Sequence, residues 1–262
     1  MPQKTLKKLI RPLINLVSED IQQKIFKEFK RASQLDQNKY PEEILLPKDF
    51  GKALPERVIE LLLARLSYYP GAKVLDVAHA NAMKCHREML LMLPEPRHLT
   101  GIDIAEPVYD TSKLYEHSGV GDITKTSFSE NSFDLIWCIS ALEHFGMDNS
   151  GYTDNFSREH DMDVKAVTEM LRLLRNNGKL LITVPYGKFE DHGWLKNYDK
   201  RYWQKILDYA SKYGELHEYY FRHTFGEGWT CANQEELQYV GYFDQANSGS
   251  GALAAVIIEK FA

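Results

Sequence analysis

Cysteine is scarce in this chain: Cys85, Cys138 and Cys231 are the three among 262 residues, widely spaced and without a Cys-x-x-Cys pair. Neither a disulfide framework nor a zinc site is expected, and a reducing cytoplasm is the expected setting. An excess of positive charge is also missing. With 32 Lys and Arg against 37 Asp and Glu, the formal charge of -5 leaves no basic footprint for nucleic acid, which is not an expected partner. No apolar run approaches the ~18 residues of a membrane helix. The N-terminal "MPQKTLKKLIRPLINLV" is basic, but Pro12 interrupts it and no small-residue cleavage site follows, so a soluble protein without a signal peptide is expected. The most informative shortage is local. "VLDVAHANAMKC", residues 74–85, reads as strand, turn and helix, the place where a nucleotide-type cofactor is gripped, yet Ala78, Ala80 and Ala82 stand where glycines are expected.

What is present fits one α/β domain with a short extension, since 44% of residues are apolar and 26% charged. Residues 19–33 place Ile21, Ile25, Phe26 and Phe29 at helical spacing, with Ser18 as N-cap and acids in the first turn. The basic face of that helix (Lys24, Lys27, Lys30, Arg31), with Lys4, Lys7, Lys8 and Arg11, suits an anionic membrane surface or a partner, while docking on the domain is the plainer expectation. Pro41, Pro47 and Pro55 mark a linker. The expected division is a helical extension and linker over 1–50 and a main domain over 51–262.

From residue 56 a helix is followed by apolar strands at 73–77, 98–103, 133–139 and 179–185, most of them separated by helical segments such as 164–175. That alternation predicts a parallel sheet covered on both faces, with ligands at the carboxyl ends of its strands. Two late strands, "ELHEYYFR" and "ALAAVIIEKF", flank the turn-rich "NSGSG" and predict an antiparallel hairpin finishing the sheet. Asp76, Asp103, Asp122 and Ser140 then stand at or just beyond strand ends that converge on one crevice.

With "VLDVAHANA", "GID", "GDI", "FDLIWCISALEHFG" and "LLRNNGKLLITVPYG" in this order, the chain resembles the class I S-adenosylmethionine-dependent methyltransferases of the type 11 kind, over roughly 56–187 and more loosely to the end. The resemblance implies a Rossmann-like doubly wound sheet of about seven strands. It also implies S-adenosylmethionine as cofactor, a cofactor half at about 56–187 and an acceptor-binding region at about 188–262. Asp103 suits both ribose hydroxyls. Asp122 suits the adenine amino group, with Ile104 and Ile123 around the ring, and Asp76 faces the cationic methionine end. His79 and Asn81 line the loop, and Ser140 follows the fourth strand.

Three alanines at left-handed φ would cost roughly 1–2 kcal/mol each, so the turn is expected to run mostly at negative φ. A cofactor without a pyrophosphate tolerates that, whereas NAD calls for the glycine-rich fingerprint that is absent. The loop, with "CISALEHFG" and "TVPYG", also resembles bacterial methyltransferases associated with surface-glycan and polysaccharide biosynthesis, which implies O-methylation of a sugar or glycan precursor. A catalytically inactive, methyltransferase-like binding or scaffold protein is the alternative.

In "ALEHFG", His144 is the expected general base, with Glu143 orienting it or contacting a metal. "SREHDMDVKA" holds four candidate ligands, but its acids precede an apolar helix, so capping by Asp161 and Asp163 is expected and no metal site. His192, Tyr220, Arg222, His223 and Trp229 are the expected acceptor contacts, as aromatic walls with a few polar groups suit a hydroxylated ring.

Overall fold

The computed structural model describes residues 19–35, 44–156, 158–244 and 249–262. Ser18, Pro41, the basic residues before position 12 and part of the "NSGSG" turn lie outside them. Six α-helices are described: α1 (Glu19–Ala32), α2 (Arg57–Ser67), α3 (Lys84–Leu91), α4 (Met162–Leu173), α5 (Lys200–Ala210) and the short α6 (Gln234–Leu237). The strands are β1 (Lys73–Val77), β2 (His98–Asp103), β3 (His117–Val120), β4 (Phe133–Ile139), β5 (Leu174–Pro185), β6 (Glu190–Asp191), β7 (Lys196–Asn197), β8 (Gly214–Thr224), β9 (Gly228–Cys231) and β10 (Ala252–Lys260).

Eight strands form the main sheet in the order β3-β2-β1-β4-β5-β10-β8-β9, and β6 pairs with β7 apart from it. The first five run parallel, while β10 is antiparallel to both β5 and β8. The expected late antiparallel pair is present, with Val256 opposite Glu218. The count rises from seven to eight because β9 folds back on β8. The strand over "HSGV" is exposed throughout, so no apolar alternation marks it in the sequence.

Strand order reverses between β1 and β4, and in such sheets a crevice opens at the carboxyl ends of the strands at that switch point. The strand interiors are apolar because helices cover both faces. One buried cluster joins Val74, Leu135 and Leu181 to α1, α2 and α3; the other joins Leu75, Ile136 and Ile182 to α4 and α5. Helix α1 docks on the first cluster through Ile25, Phe29 and Ala32, leaving Lys24, Lys27, Lys30 and Arg31 exposed. Each fully buried side chain of the Ile or Phe class contributes about 1.5–3 kcal/mol.

Asp163 stands in the first turn of α4 as expected and accepts from Val164 N–H at 2.8 Å, whereas the Asp161 side chain does not cap the helix. Asp161 takes the N-cap position at φ 62° with no side-chain cap bond and pairs with Lys205. Asp163 is buried, where it accepts from Lys196 Nζ at 2.6 Å and Tyr198 OH at 2.8 Å, and so fastens β7 to the start of α4. Buried charge demands such partners, and a lysine and a tyrosine supply them.

Candidate active site

The cleft at the ends of β1, β2 and β4 encloses about 220 Å³. Seven of the expected site residues line it: Asp76, Ala78, Asn81, Asp103, Ile104, Ser140 and His144.

The alanine turn explains itself through its backbone. Ala78 alone of the three takes left-handed geometry, at φ 65°, at a cost of about 1–2 kcal/mol. Residues His79–Asn81 then form a 3₁₀ turn, and Ala82 follows at φ -56°. This geometry aims Ala80 N–H at Asp103 Oδ2 (2.8 Å), while Ala105 N–H donates to Oδ1 at 2.9 Å. Two backbone donors thus orient the Asp103 carboxylate at the cleft, a group whose geometry suits a vicinal diol.

Asp76 is buried and accepts from Tyr115 OH at 2.6 Å, with His86 Nε2 at 3.5 Å. Burial pushes its carboxyl up to about 7, against the Tyr115 hydrogen bond and the Arg57 charge, which favour ionisation. Burial likewise pushes His86 down to about 3. A cation entering the cleft offsets the cost of ionising Asp76, so cation binding and proton release are linked there.

Ser140, at φ 43°, donates its backbone N–H to Thr183 Oγ1 at 3.0 Å, and its hydroxyl donates to Glu60. Glu60 is fully buried; it also accepts from Thr183 Oγ1 at 2.7 Å and lies 3.1 Å from an Arg57 guanidinium nitrogen. Arg57 in turn lines the cleft. Sequence reading missed Glu60 and Arg57 because they lie inside an amphipathic helix, where a charged pair three residues apart reads as a solvated face.

His144 closes the cleft from the 3₁₀ turn Leu142–His144. Its Nδ1 lies 2.8 Å from the Trp194 carbonyl oxygen. A carbonyl only accepts, so Nδ1 carries the proton and Nε2 holds the basic lone pair. Burial pushes the imidazole down to about 4. The Trp194 carbonyl therefore sets the tautomer, and this corrects the orienting role expected of Glu143. Glu143 Oε1 is 4.0 Å from Nε2, its Oε2 is buried without a hydrogen-bond partner, and burial raises its carboxyl well above the usual range. A carboxyl that holds its proton more tightly than usual thus stands beside Nε2. No group of three or more His, Cys, Asp or Glu able to hold a metal occurs among the described residues.

Other expected contacts fall elsewhere. His79 is buried behind the loop with its ring turned into the protein, and Ala80 contributes its backbone alone. Asp122 caps the 3₁₀ turn Ile123–Lys125, accepting from Thr124 N–H at 2.8 Å and Thr124 Oγ1 at 2.7 Å, and Ile123 is a core residue; neither lines the cleft. Trp229 and His223 are each 1% exposed, so neither reaches an acceptor. Trp229 is wedged against Gly51 and donates Nε1–H to the Leu54 carbonyl at 3.0 Å, and the His223 ring packs on it at 5.3 Å. Tyr220 packs on Tyr186, accepts from Gln234 at 3.0 Å and donates to Glu218 at 2.6 Å, and Arg222 is exposed on β8. His192 lies in the turn between β6 and β7 against Tyr242 and Phe243, next to the segment whose Trp194 carbonyl holds His144. Phe145, Asn149 and Tyr152 line the cleft where those residues were expected to; Asn149 Nδ2 donates to the His144 carbonyl at 2.8 Å.

Residues 85–182, from the start of α3 through most of β5, match the family described as Methyltransferase domain. The match is to part of the chain, and it spans strands β2, β3 and β4. An uncharacterized protein of Methanocaldococcus jannaschii is 28% identical over 145 residues, 55% of each chain, so the chain spans about half the length of the curated relative it matches. A solved SAM-dependent methyltransferase from Archaeoglobus fulgidus is 16% identical with a TM-score of 0.50, covering 79% of this chain and 95% of that one. A candidate methyltransferase from Bacillus halodurans is 14% identical, also at 0.50, covering 78% and 98%. At these identities the likeness is one of fold, and it agrees with the Rossmann-like sheet. No helix among the described residues is long and apolar enough to cross a membrane.

Proposed function

We propose that the protein is an S-adenosylmethionine-dependent methyltransferase that transfers the cofactor's methyl group to a hydroxyl oxygen of a sugar or glycan precursor, with His144 as general base. The observation that carries the reading is the hydrogen bond from His144 Nδ1 to the Trp194 carbonyl, which leaves Nε2 unprotonated at the cleft. Asp103 takes the ribose hydroxyls, Asp76 faces the cationic end, and Ile104 lies along the adenine. Arg57, tied by one nitrogen to Glu60, offers its remaining donors to a carboxylate.

S-adenosylmethionine supplies an activated methyl group. The chain's own work is to align the acceptor, exclude water and take up its proton. At about 4, His144 remains neutral throughout the physiological range, so the base is always available but weak, and it must pass the proton on as the bond forms. The alternative reading, a binding or scaffold protein, draws on that weakness.

In the proposed organisation, 56–187 serves the cofactor, 188–262 the acceptor, and 1–50 is the extension. The exposed lysines of α1 would add contact with an anionic surface to its docking on the domain. Buried free Cys85 and Cys138 suit a reducing cytoplasm.

The test is calorimetric titration with S-adenosylmethionine and S-adenosylhomocysteine, followed by methyl transfer to a panel of sugar nucleotides. We expect binding that Asp103→Ala abolishes, and turnover that His144→Ala lowers by about 10²–10⁴-fold without changing cofactor affinity. Cofactor binding by the wild type with His144→Ala indistinguishable from it in turnover would remove His144 as base, and binding without any turnover would favour the scaffold.

A further inference from the structure

We propose that His79 is the positioning residue of the cofactor loop: its ring, seated in a slot left open by Gly101, holds the alanine turn in the place where Ala80 meets Asp103. The inference rests on the reading of the cleft as the cofactor site.

The slot is specific. A Cβ at position 101 would stand 2.5 Å from His79 Cδ2 and 2.6 Å from Nε2, closer than atoms approach, so the histidine and the glycine require each other. The ring is 1% exposed, and both its nitrogens find partners: Nδ1 lies 3.2 Å from Tyr109 OH and Nε2 3.2 Å from Ser118 Oγ. Tyr109 donates its own hydroxyl hydrogen to the His79 carbonyl at 2.9 Å. Tyr109 must then accept from Nδ1–H, and Nε2 must accept from Ser118, which fixes one neutral tautomer. Burial pushes the imidazole down to about 4, in keeping with that neutral form.

This arrangement reaches both cofactor carboxylates. Directly after His79, Ala80 donates to Asp103. The Tyr115 ring lies 4.8 Å from the His79 ring, and its hydroxyl donates to Asp76. Val108 N–H, bonding the Ala80 carbonyl at 3.0 Å, ties the turn down from the other side. A glycine turn follows its course by backbone freedom; here a side chain anchored in β2 and β3 imposes the course instead.

Titration calorimetry of the full chain with S-adenosylmethionine tests this on His79→Ala, His79→Gln and Gly101→Ala, each read for affinity and stoichiometry beside its melting temperature. His79→Ala is expected to weaken binding by about tenfold or more at unchanged stoichiometry. His79→Gln keeps a donor and an acceptor and should recover part of that loss, while Gly101→Ala, by displacing the ring, should reproduce it. A His79→Ala protein that melts lower but binds with wild-type affinity overturns the proposal, because a purely structural residue changes the folded fraction and not the site. A wild type that binds no S-adenosylmethionine removes the cofactor reading itself, and the proposal with it, an outcome distinct from equal binding by wild type and variant.

Discussion

The two ends of the sheet contrast in how they use polar and aromatic side chains. At the β1-β2-β4 end, Asp76, Asp103 and Ser140 all reach the cleft, because a residue at a strand's carboxyl end at the switch point has little choice of direction. At the β8-β9 end, Trp229, His223 and Tyr220 look equally suited to binding by type, yet they build the interior or bond to their own neighbours. Residue type nominates, and position in the topology decides.

The strongest way to break that contrast is Trp229→Ala. The indole fills the space beside Gly51, whose φ of 61° lets the chain pass close, and its N–H satisfies the Leu54 carbonyl. Truncation should cost about 3–5 kcal/mol of stability, measured by denaturant unfolding, with cofactor affinity unchanged in the folded fraction. A variant of unaltered stability with a raised acceptor KM would return Trp229 to the acceptor site.

Next in size is the linkage at Asp76, which sharpens the cofactor side of the comparison. Its folded value of about 7 lies above the ordinary 3.8, so between those values the folded protein holds a proton that the unfolded chain releases. The stability this carboxyl contributes is therefore complete below about pH 4 and is lost as pH rises toward 7. His86, lowered to about 3, and His79 and His144, lowered to about 4, work in the opposite direction from pH 6.5 down, so the whole-protein curve mixes these groups. Asp76→Asn isolates the carboxyl: it should be more stable than wild type at pH 8 by about 1–3 kcal/mol, with the gap closing toward pH 4. The same variant should bind S-adenosylmethionine more weakly at pH 8, and wild-type affinity should rise from pH 6 to 8. Equal stability of the two proteins across that range would mean that Asp76 is not held protonated.

Most of the fold was legible because its signals are periodic. The strands at 73–77, 98–103 and 133–139 stand at the expected residues, since burial on both faces leaves continuous apolar runs. The strand at 117–120 was not legible, because an exposed polar edge carries no such run. Within the site, Asp103 could be read from its strand end. Its partner Ala80 N–H could not, because backbone donors leave no mark in a sequence. His144 was legible as a cleft residue from its place after β4, whereas the Trp194 carbonyl that sets its tautomer lies fifty positions away in a loop-side hairpin. Arg57 and Glu60 were hidden by their regular helix.

The smallest expected effect tests the comparison at its margin. Arg222 and Arg57 could each hold an anionic group, but their surroundings differ. Arg222 is exposed on β8, opposite Thr230 and Ala252, and outside the cleft. Arg57 lines the cleft and is held by Glu60. Because an exposed side chain away from packed features seldom matters, Arg222→Ala should change stability by no more than about 0.5 kcal/mol and leave the acceptor KM within about twofold, the same half-kcal scale. Steady-state kinetics on whichever sugar nucleotide is methylated would show this. An acceptor KM raised tenfold in Arg222→Ala at unchanged kcat would extend the acceptor surface to the β8 face, and position in the topology would then decide less than the cofactor end suggests.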